Sequence, residues 1–316
     1  MTCYRPLQGY WSAAKTEDGK RSIVFNVNDA LTDRPLNVPC GKCTGCRLAR
    51  SRDWAIRCSH EADSHACNSF LTLTYNAANL PKYGTLVPQD MRKFLGRLRD
   101  HLKPHRIRFF GCGEYGDQLS RPHYHICLFG FDFGADRVLF KRTRNGHGLY
   151  ISPFLTKTWG KGHAVIGDLT FESAAYTARY VMKKQGGDNA PFHYAALDYS
   201  DGSIYSRVPE FVRMSLGRKD GPKGLGEQWI EKYWKDVYPS DEVTLLTPKG
   251  LKRWKPPRYY DKWLEKNQPD VYREVKRNRI LFGKKHADDS RSSRLKVRED
   301  VAVAKLSRLP WELEEA

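Results

Sequence analysis

The stretch Arg121-Pro122-His123-Tyr124-His125-Ile126-Cys127-Leu128-Phe129-Gly130 places two histidines at alternate positions ahead of an apolar run. Side chains of a β-strand alternate between faces, so His123 and His125 would project from the same face. Two imidazoles side by side on a rigid strand make half of a divalent metal site. A buried strand with two hydrogen-bonded histidines is the ordinary alternative. Upstream, Gly113-Glu114-Tyr115-Gly116 puts a carboxylate at the end of an apolar strand, Ile107-Arg108-Phe109-Phe110, and a glycine-rich turn lets the two strands lie side by side. Two imidazoles and one carboxylate with open positions suit Mg²⁺ or Mn²⁺ in phosphate chemistry, and Zn²⁺ less well. Downstream, Ala174-Ala175-Tyr176-Thr177-Ala178-Arg179-Tyr180-Val181-Met182-Lys183-Lys184 reads as a helix. Tyr176 and Tyr180 then share a face as i,i+4 neighbours, with Lys183 and Lys184 one turn later. Aromatics at this spacing are more often packing than chemistry. Here the flanking alanines would let a substrate approach, and the two lysines would make a poor core.

A second cluster, Pro39-Cys40-Gly41-Lys42-Cys43-Thr44-Gly45-Cys46-Arg47, spaces three cysteines as a knuckle that could wrap Zn²⁺ with thiolates. A fourth ligand is needed. Cys58 is one candidate, but it lies well into a helix that starts near Cys46, roughly 18 Å away at about 1.5 Å per residue. Cys3 has no such restriction, because the intervening arm can fold back. Reduced thiols in a tight turn are the alternative. Arg47 and Arg50 follow on the helix over residues 47–62 and could track a phosphate backbone, as could Arg121 beside the histidine strand and Arg179 between the tyrosines.

At 316 residues the chain can form one large domain or two small ones. A formal charge of +18 calls for a polyanionic partner, and 12% aromatic content beside that charge suits base stacking in single strands. No run of residues approaches a membrane span, and the N-terminus lacks the apolar core of a signal peptide. The eight cysteines are therefore expected as thiols or metal ligands in a reducing compartment. No G-x-x-x-x-G-K-[ST] occurs, so no P-loop motor is expected.

Residues 1–39 read as an extended arm with one strand over Ser22–Val27. Strands are expected over Ser69–Tyr75, 106–115, 122–131, Lys161–Leu169 and Ile204–Met214. Helices are expected over 88–103, with Pro88 in the first turn, Phe171–Lys184, Glu227–Tyr238 and Pro257–Leu264. Residues 135–160, basic and glycine-rich, read as a loop able to touch DNA. His163 reads as a core or surface residue. Between Lys249 and Asp300 there are 17 Lys and Arg against 8 Asp and Glu, a net +9, which suggests a DNA-contacting tail or helix pair. The expected divisions are 1–65 (arm, knuckle, basic helix), 66–190 (core carrying the motifs) and 191–316 (basic, aromatic-rich region packing on the core).

The combination of Phe70-Leu71-Thr72-Leu73-Thr74-Tyr75, Gly113-Glu114-Tyr115-Gly116, Arg121-Pro122-His123-Tyr124-His125, Tyr176-x-x-x-Tyr180-Val-x-Lys-Lys and the cysteine cluster resembles the HUH-type replication initiators of rolling-circle replicons. The resemblance is to those of small single-stranded DNA phages, in particular the gokushovirus group of microviruses, and its motifs cover roughly residues 1–185. It implies an α+β fold: a central antiparallel sheet with flanking helices, split βαβ or RRM-like, with the histidine strand in the middle and the tyrosine helix beside the metal. The first of these strands is then a structural floor without chemistry. The resemblance also favours Cys3 as the fourth thiolate of a structural zinc.

The implied activity is origin-specific, Mg²⁺- or Mn²⁺-dependent nicking and joining of single-stranded DNA. Glu114, His123 and His125 would hold the cation, and activity should fall below about pH 6 as imidazoles protonate. Tyr176 and Tyr180 would form a covalent 5′-phosphotyrosine, one at initiation and one at termination, with Lys183 or Lys184 stabilising the phenolate or meeting the scissile phosphate. Partners would be single-stranded DNA, the nicked double-stranded replicative form at the origin, and the host's helicase and polymerase, in the cytoplasm of a bacterial host. A transposase or relaxase of the same chemistry, and a non-catalytic zinc-stabilised DNA-binding protein, are the alternatives.

Overall fold

The computed structural model describes residues 3–116, 119–143, 146–183, 188–198, 200–217, 221, 223–247 and 250–307, apart from the side chains of 180–183. In chain order the strands and helices that matter below are β1 (Leu7–Ser12), β2 (Ile23–Val24), β3 (Ala30–Val38), α1 (Thr44–Ala62), β4 (Asn68–Tyr75), α2 (Pro88–His101), β5 (Arg108–Tyr115) and β6 (Pro122–Phe129). There follow β7 (Val138–Arg142), β8 (Gly148–Ile151), α3 (Pro153–Trp159), β9 (Gly162–Gly167), α4 (Phe171–Lys183), α5 (Ala190–Tyr194), β10 (Ala195–Leu197), β11 (Ile204–Ser206) and β12 (Phe211–Met214). The last are α6 (Glu227–Val237), β13 (Val243–Thr247), β14 (Gly250–Trp254), α7 (Arg258–Asn267), α8 (Pro269–Lys285) and α9 (Ser292–Leu306). Among the described residues, no helix is long and apolar enough to cross a membrane.

Two compact units divide the chain: residues 3–50 with 278–307, and residues 51–277. In the first, β1, β2 and β3 form an antiparallel sheet in the order β2-β1-β3. The arm expected over residues 1–39 is therefore a sheet, and the strand expected over Ser22–Val27 shrinks to Ile23–Val24. Alternation failed to mark these strands because Leu7, Trp11, Ile23 and Phe25 are exposed rather than turned into a core. Arg5 pairs with Glu299 of α9 at 2.9 Å within this unit.

The second unit is built on a seven-stranded sheet in the order β12-β5-β6-β4-β9-β8-β7, each neighbouring pair antiparallel. The histidine strand β6 is thus an inner strand, between β5 and β4. One face carries Leu71, Leu73, Phe109, Tyr124, Ile126 and Leu128 into a core with Phe94 and Leu98 of α2 and Trp159 of α3. The other face carries Phe70, Phe110, Cys112, Cys127 and Phe129 into a core with Cys58 of α1 and Ala174, Tyr176 and Ala178 of α4. Strand alternation sends successive residues to the two cores, which is why near-continuous apolar runs mark β5 and β6. A third core joins Ile56, Ile230, Val237, Tyr260 and Leu264 around α6 and α7.

Residues 135–160, expected as a loop, contain β7, β8 and α3. The local chemistry is explicit: the Ser152 hydroxyl caps α3 by accepting from Leu155 N–H at 3.0 Å, Pro153 opens it, and Gly160 closes it at φ 64°. Basic and glycine-rich composition masked these signals. The strand expected over Ile204–Met214 is two strands, β11 pairing with β10 and β12 with β5.

Candidate metal and nucleophile site

Strands β5 and β6 pair along their whole length, with Glu114 opposite His123 and Cys112 opposite His125. This register puts the carboxylate and both imidazoles on one face. Glu114 Oε1 lies 2.7 Å from His123 Nε2 and 2.8 Å from His125 Nε2. Glu114 is fully buried. Burial favours its neutral form, but hydrogen bonds with the two imidazoles outweigh that and hold the carboxyl below the usual carboxylate range. The site therefore presents an ionised carboxylate, and all three donor atoms lie within 4.8 Å of one another.

The other nitrogen of each ring is also held. His123 Nδ1 is 3.0 Å from the Arg121 carbonyl oxygen, and His125 Nδ1 is 3.1 Å from Thr72 Oγ1. The ring of His125 stacks on Phe70 with centroids 5.5 Å apart. Outer-shell partners of this kind fix the orientation of metal-binding imidazoles. The donor set, its charge and its convergence fit a hard divalent cation. Thr72 was missed by the sequence reading, which gave its strand no chemistry. The signal was its phase: Thr72 is the polar member of a strand whose alternate residues face the histidines.

Helix α4 brings Tyr176 edge-on to His125, with centroids 5.1 Å apart and planes at 87°. Tyr176 is 1% exposed and the Arg179 guanidinium lies 5.8 Å from its ring centre. Thr177 packs against Cys127 of β6 at 3.7 Å. Ala174 and Ala178, expected to open the helix to substrate, are buried in the core beneath it, so small side chains serve the close approach of helix to sheet. Tyr180 and Lys183 lie on the helix with side chains outside the described residues, and Lys184 lies outside the described residues altogether. Arg121 donates from its guanidinium to the Tyr75 carbonyl at 2.8 Å, tying the start of β6 to the end of β4. His163 is exposed on β9 and is not part of the convergent donor group.

In the other unit, the sulfurs of Cys3, Cys40, Cys43 and Cys46 lie within 4.8 Å of one another. Cys3 Sγ is 3.7 Å from Cys40 Sγ and 3.8 Å from Cys43 Sγ. Four thiolates at about 2.3 Å from a tetrahedral zinc stand about 3.8 Å apart, so these separations fit that ion. Backbone N–H groups of Cys40, Cys43 and Tyr4 point at Cys3, Cys40 and Cys43 sulfurs at 3.3, 3.3 and 3.4 Å. Burial pushes the Cys3 and Cys46 thiols up, and at Cys43 burial is outweighed by hydrogen bonds from Tyr4 and Cys46 that bring it down to about 6. Gly41 turns the knuckle at φ 73°, which glycine adopts without strain. Cys58 is buried in the core under the sheet of residues 51–277 instead. On α1, Arg50 donates to the Gly41 carbonyl at 3.4 Å and Arg47 is half-buried.

The family model for replication-associated proteins of the ORF2 type matches residues 68–185, from β4 through the tyrosine helix. The chain is 35% identical over 287 residues to the replication-associated protein ORF2 of Spiroplasma virus 4, across 86% of this chain and 83% of that protein. It is 33% identical over 282 residues to the replication-associated protein VP4 of Bdellovibrio phage phiMH2K, covering 87% and 80%. It is 35% identical over 153 residues to the replication-associated protein ORF4 of Chlamydia phage 1, covering 46% and 38%. No solved structure matches it.

Proposed function

This chain belongs to the family of replication-associated proteins of the ORF2 type, and from that premise we propose that it starts and ends rolling-circle replication of a phage genome by nicking and rejoining single-stranded DNA at the origin. The observation that carries the reading is the convergence of Glu114, His123 and His125 beside the tyrosine helix, with His125 against Tyr176. Glu114, His123 and His125 would hold Mg²⁺ or Mn²⁺, which supplies neutralisation of the phosphate and orientation of its oxygens. The chain's own part is to supply the nucleophile. A phenol oxygen of Tyr176 or Tyr180 forms a bond to phosphorus as the bond to the 3′ oxygen breaks. The phenol proton passes to solvent and the released 3′ oxygen takes one up, leaving a 5′-phosphotyrosine and a free 3′ hydroxyl. Attack of a 3′ hydroxyl on that ester reverses the step and joins the strand. Arg121, Arg179, Lys183 and Lys184 would meet phosphates, and Arg47 and Arg50 would add contacts on the other unit. Host helicase and polymerase would extend the primed strand in the bacterial cytoplasm. The four-cysteine cluster would hold a structural zinc.

A denaturing gel of protein incubated with origin oligonucleotide and Mn²⁺ tests this directly. We expect a covalent adduct that EDTA or His123→Ala removes and that Tyr176→Phe with Tyr180→Phe abolishes. An adduct surviving the double substitution overturns the assignment of the nucleophile. A second reading, a DNA-binding protein without catalysis, draws on the burial of Tyr176; binding without any adduct would select it.

A further inference from the structure

We propose that Thr72 is a positioning residue of the cation site, setting which nitrogen of His125 carries the proton. The inference rests on the metal reading of Glu114, His123 and His125 given above and adds a group that reading does not contain.

Strands β4 and β6 pair with Thr72 directly opposite His125, so both side chains stand on the same face. The hydroxyl reaches Nδ1 at 3.1 Å, while Nε2 points at Glu114 Oε1, 2.8 Å away. Phe70, two residues earlier on the same face of β4, lies parallel to the imidazole at 8°, and Tyr176 meets it edge-on. The ring is thereby held with one nitrogen toward the donor group and the other toward the hydroxyl.

The two histidines are held by chemically different partners. His123 Nδ1 faces the Arg121 carbonyl oxygen at 3.0 Å. A carbonyl only accepts, so that contact selects the Nδ1–H form and leaves Nε2 for a ligand. A threonine hydroxyl both accepts and donates. When Nε2 of His125 gives its lone pair to a cation, the neutral ring carries its proton on Nδ1, and Thr72 Oγ1 accepts it. Without a cation, the hydroxyl can rotate to donate to Nδ1 while Nε2–H bonds to Glu114. Thr72 thus satisfies His125 in both tautomers and lets one proton change nitrogen as the cation arrives. Valine has nearly the same shape and the same strand preference, but would leave a buried Nδ1–H unpaired in the loaded state.

The test is Mn²⁺ binding by the full chain, measured by titration without DNA, for wild type, Thr72→Val, Thr72→Ser and Glu114→Gln. Thr72→Val should weaken Mn²⁺ binding about 10- to 100-fold, and Thr72→Ser should restore it to within about threefold of wild type, since serine keeps the same donor and acceptor. Imidazole nitrogen-15 spectra with Mg²⁺, with the His125 signal assigned by its loss in His125→Gln, should show Nδ1 protonated and hydrogen-bonded in wild type and changed in Thr72→Val. Equal Mn²⁺ affinity and an unchanged His125 pattern in Thr72→Val overturn the role of Thr72 alone. If wild type and Glu114→Gln bind Mn²⁺ equally poorly, the cation site itself fails and this inference falls with it.

Discussion

At the scale of single residues, burial and partners decide what a titratable group can do. Glu114 is buried yet stays an acceptor, because two imidazoles compensate it. His60 on α1 is buried without such compensation. Its ring stacks on Trp229 with centroids 3.4 Å apart, and its Nδ1 lies 2.8 Å from the Tyr260 hydroxyl. Burial brings its pKa down to about 3 from an ordinary 6.5. Between those values the unfolded chain binds a proton that the folded chain refuses. Stability is therefore fully present above about pH 6.5 and falls with acid by up to ~1.4 kcal/mol per pH unit, until about pH 3. Urea unfolding of wild type and His60→Gln across this window should show a shallower acid slope in the variant. Coincident slopes would remove His60 from the acid response.

At the scale of elements, the site depends on the strands that carry it lying in register. β4 is held between β6 and β9, with Thr74 opposite both His123 and His163. The entry to β9 needs glycine: Gly162 has φ 149°, and a Cβ there would sit 2.3 Å from Asn76 N and 2.4 Å from Thr74 O. Backbone cannot yield as a flexible side chain can, so β4 and β9 would have to separate locally. Gly162→Ala should lower the unfolding free energy by about 2 kcal/mol or more, read as a lower urea midpoint. An unchanged midpoint would show that the turn relaxes freely.

At the scale of the whole molecule, charge and metal are distributed over two units. The net +18 makes a phosphate backbone the natural partner, and helices α7, α8 and α9 carry most of the basic stretch after Lys249. The four cysteines belong to residues 3–50. If they hold zinc, folding of that unit is linked to the metal, because the site does not exist in the unfolded chain. Elemental analysis should find one zinc per chain. Stripping it with a strong chelator should raise amide hydrogen exchange in β1 and β3 while leaving β4, β5 and β6 protected. Protein without zinc, with exchange in β1 and β3 insensitive to the chelator, would make the cluster four reduced thiols.

The sequence by itself determined what repeats or alternates locally. Apolar runs fixed β4, β5 and β6, helical spacing and Pro88 fixed α2, and spacing alone put His123 with His125 on one face and singled out Cys40, Cys43 and Cys46. It could not place Glu114, because strand register depends on pairing between segments and a slip of one residue would turn the carboxylate to the other face. It could not choose between Cys3 and Cys58, since one lies far along the chain and the choice depends on how the first strands fold back. It missed the sheet in residues 7–38 and the elements in residues 135–160, where exposed apolar residues and basic composition hide the periods. Only the tertiary structure set Tyr176 against His125 and Thr72 against its second nitrogen, because such contacts arise where a helix or a neighbouring strand crosses the face, and no local spacing encodes that crossing.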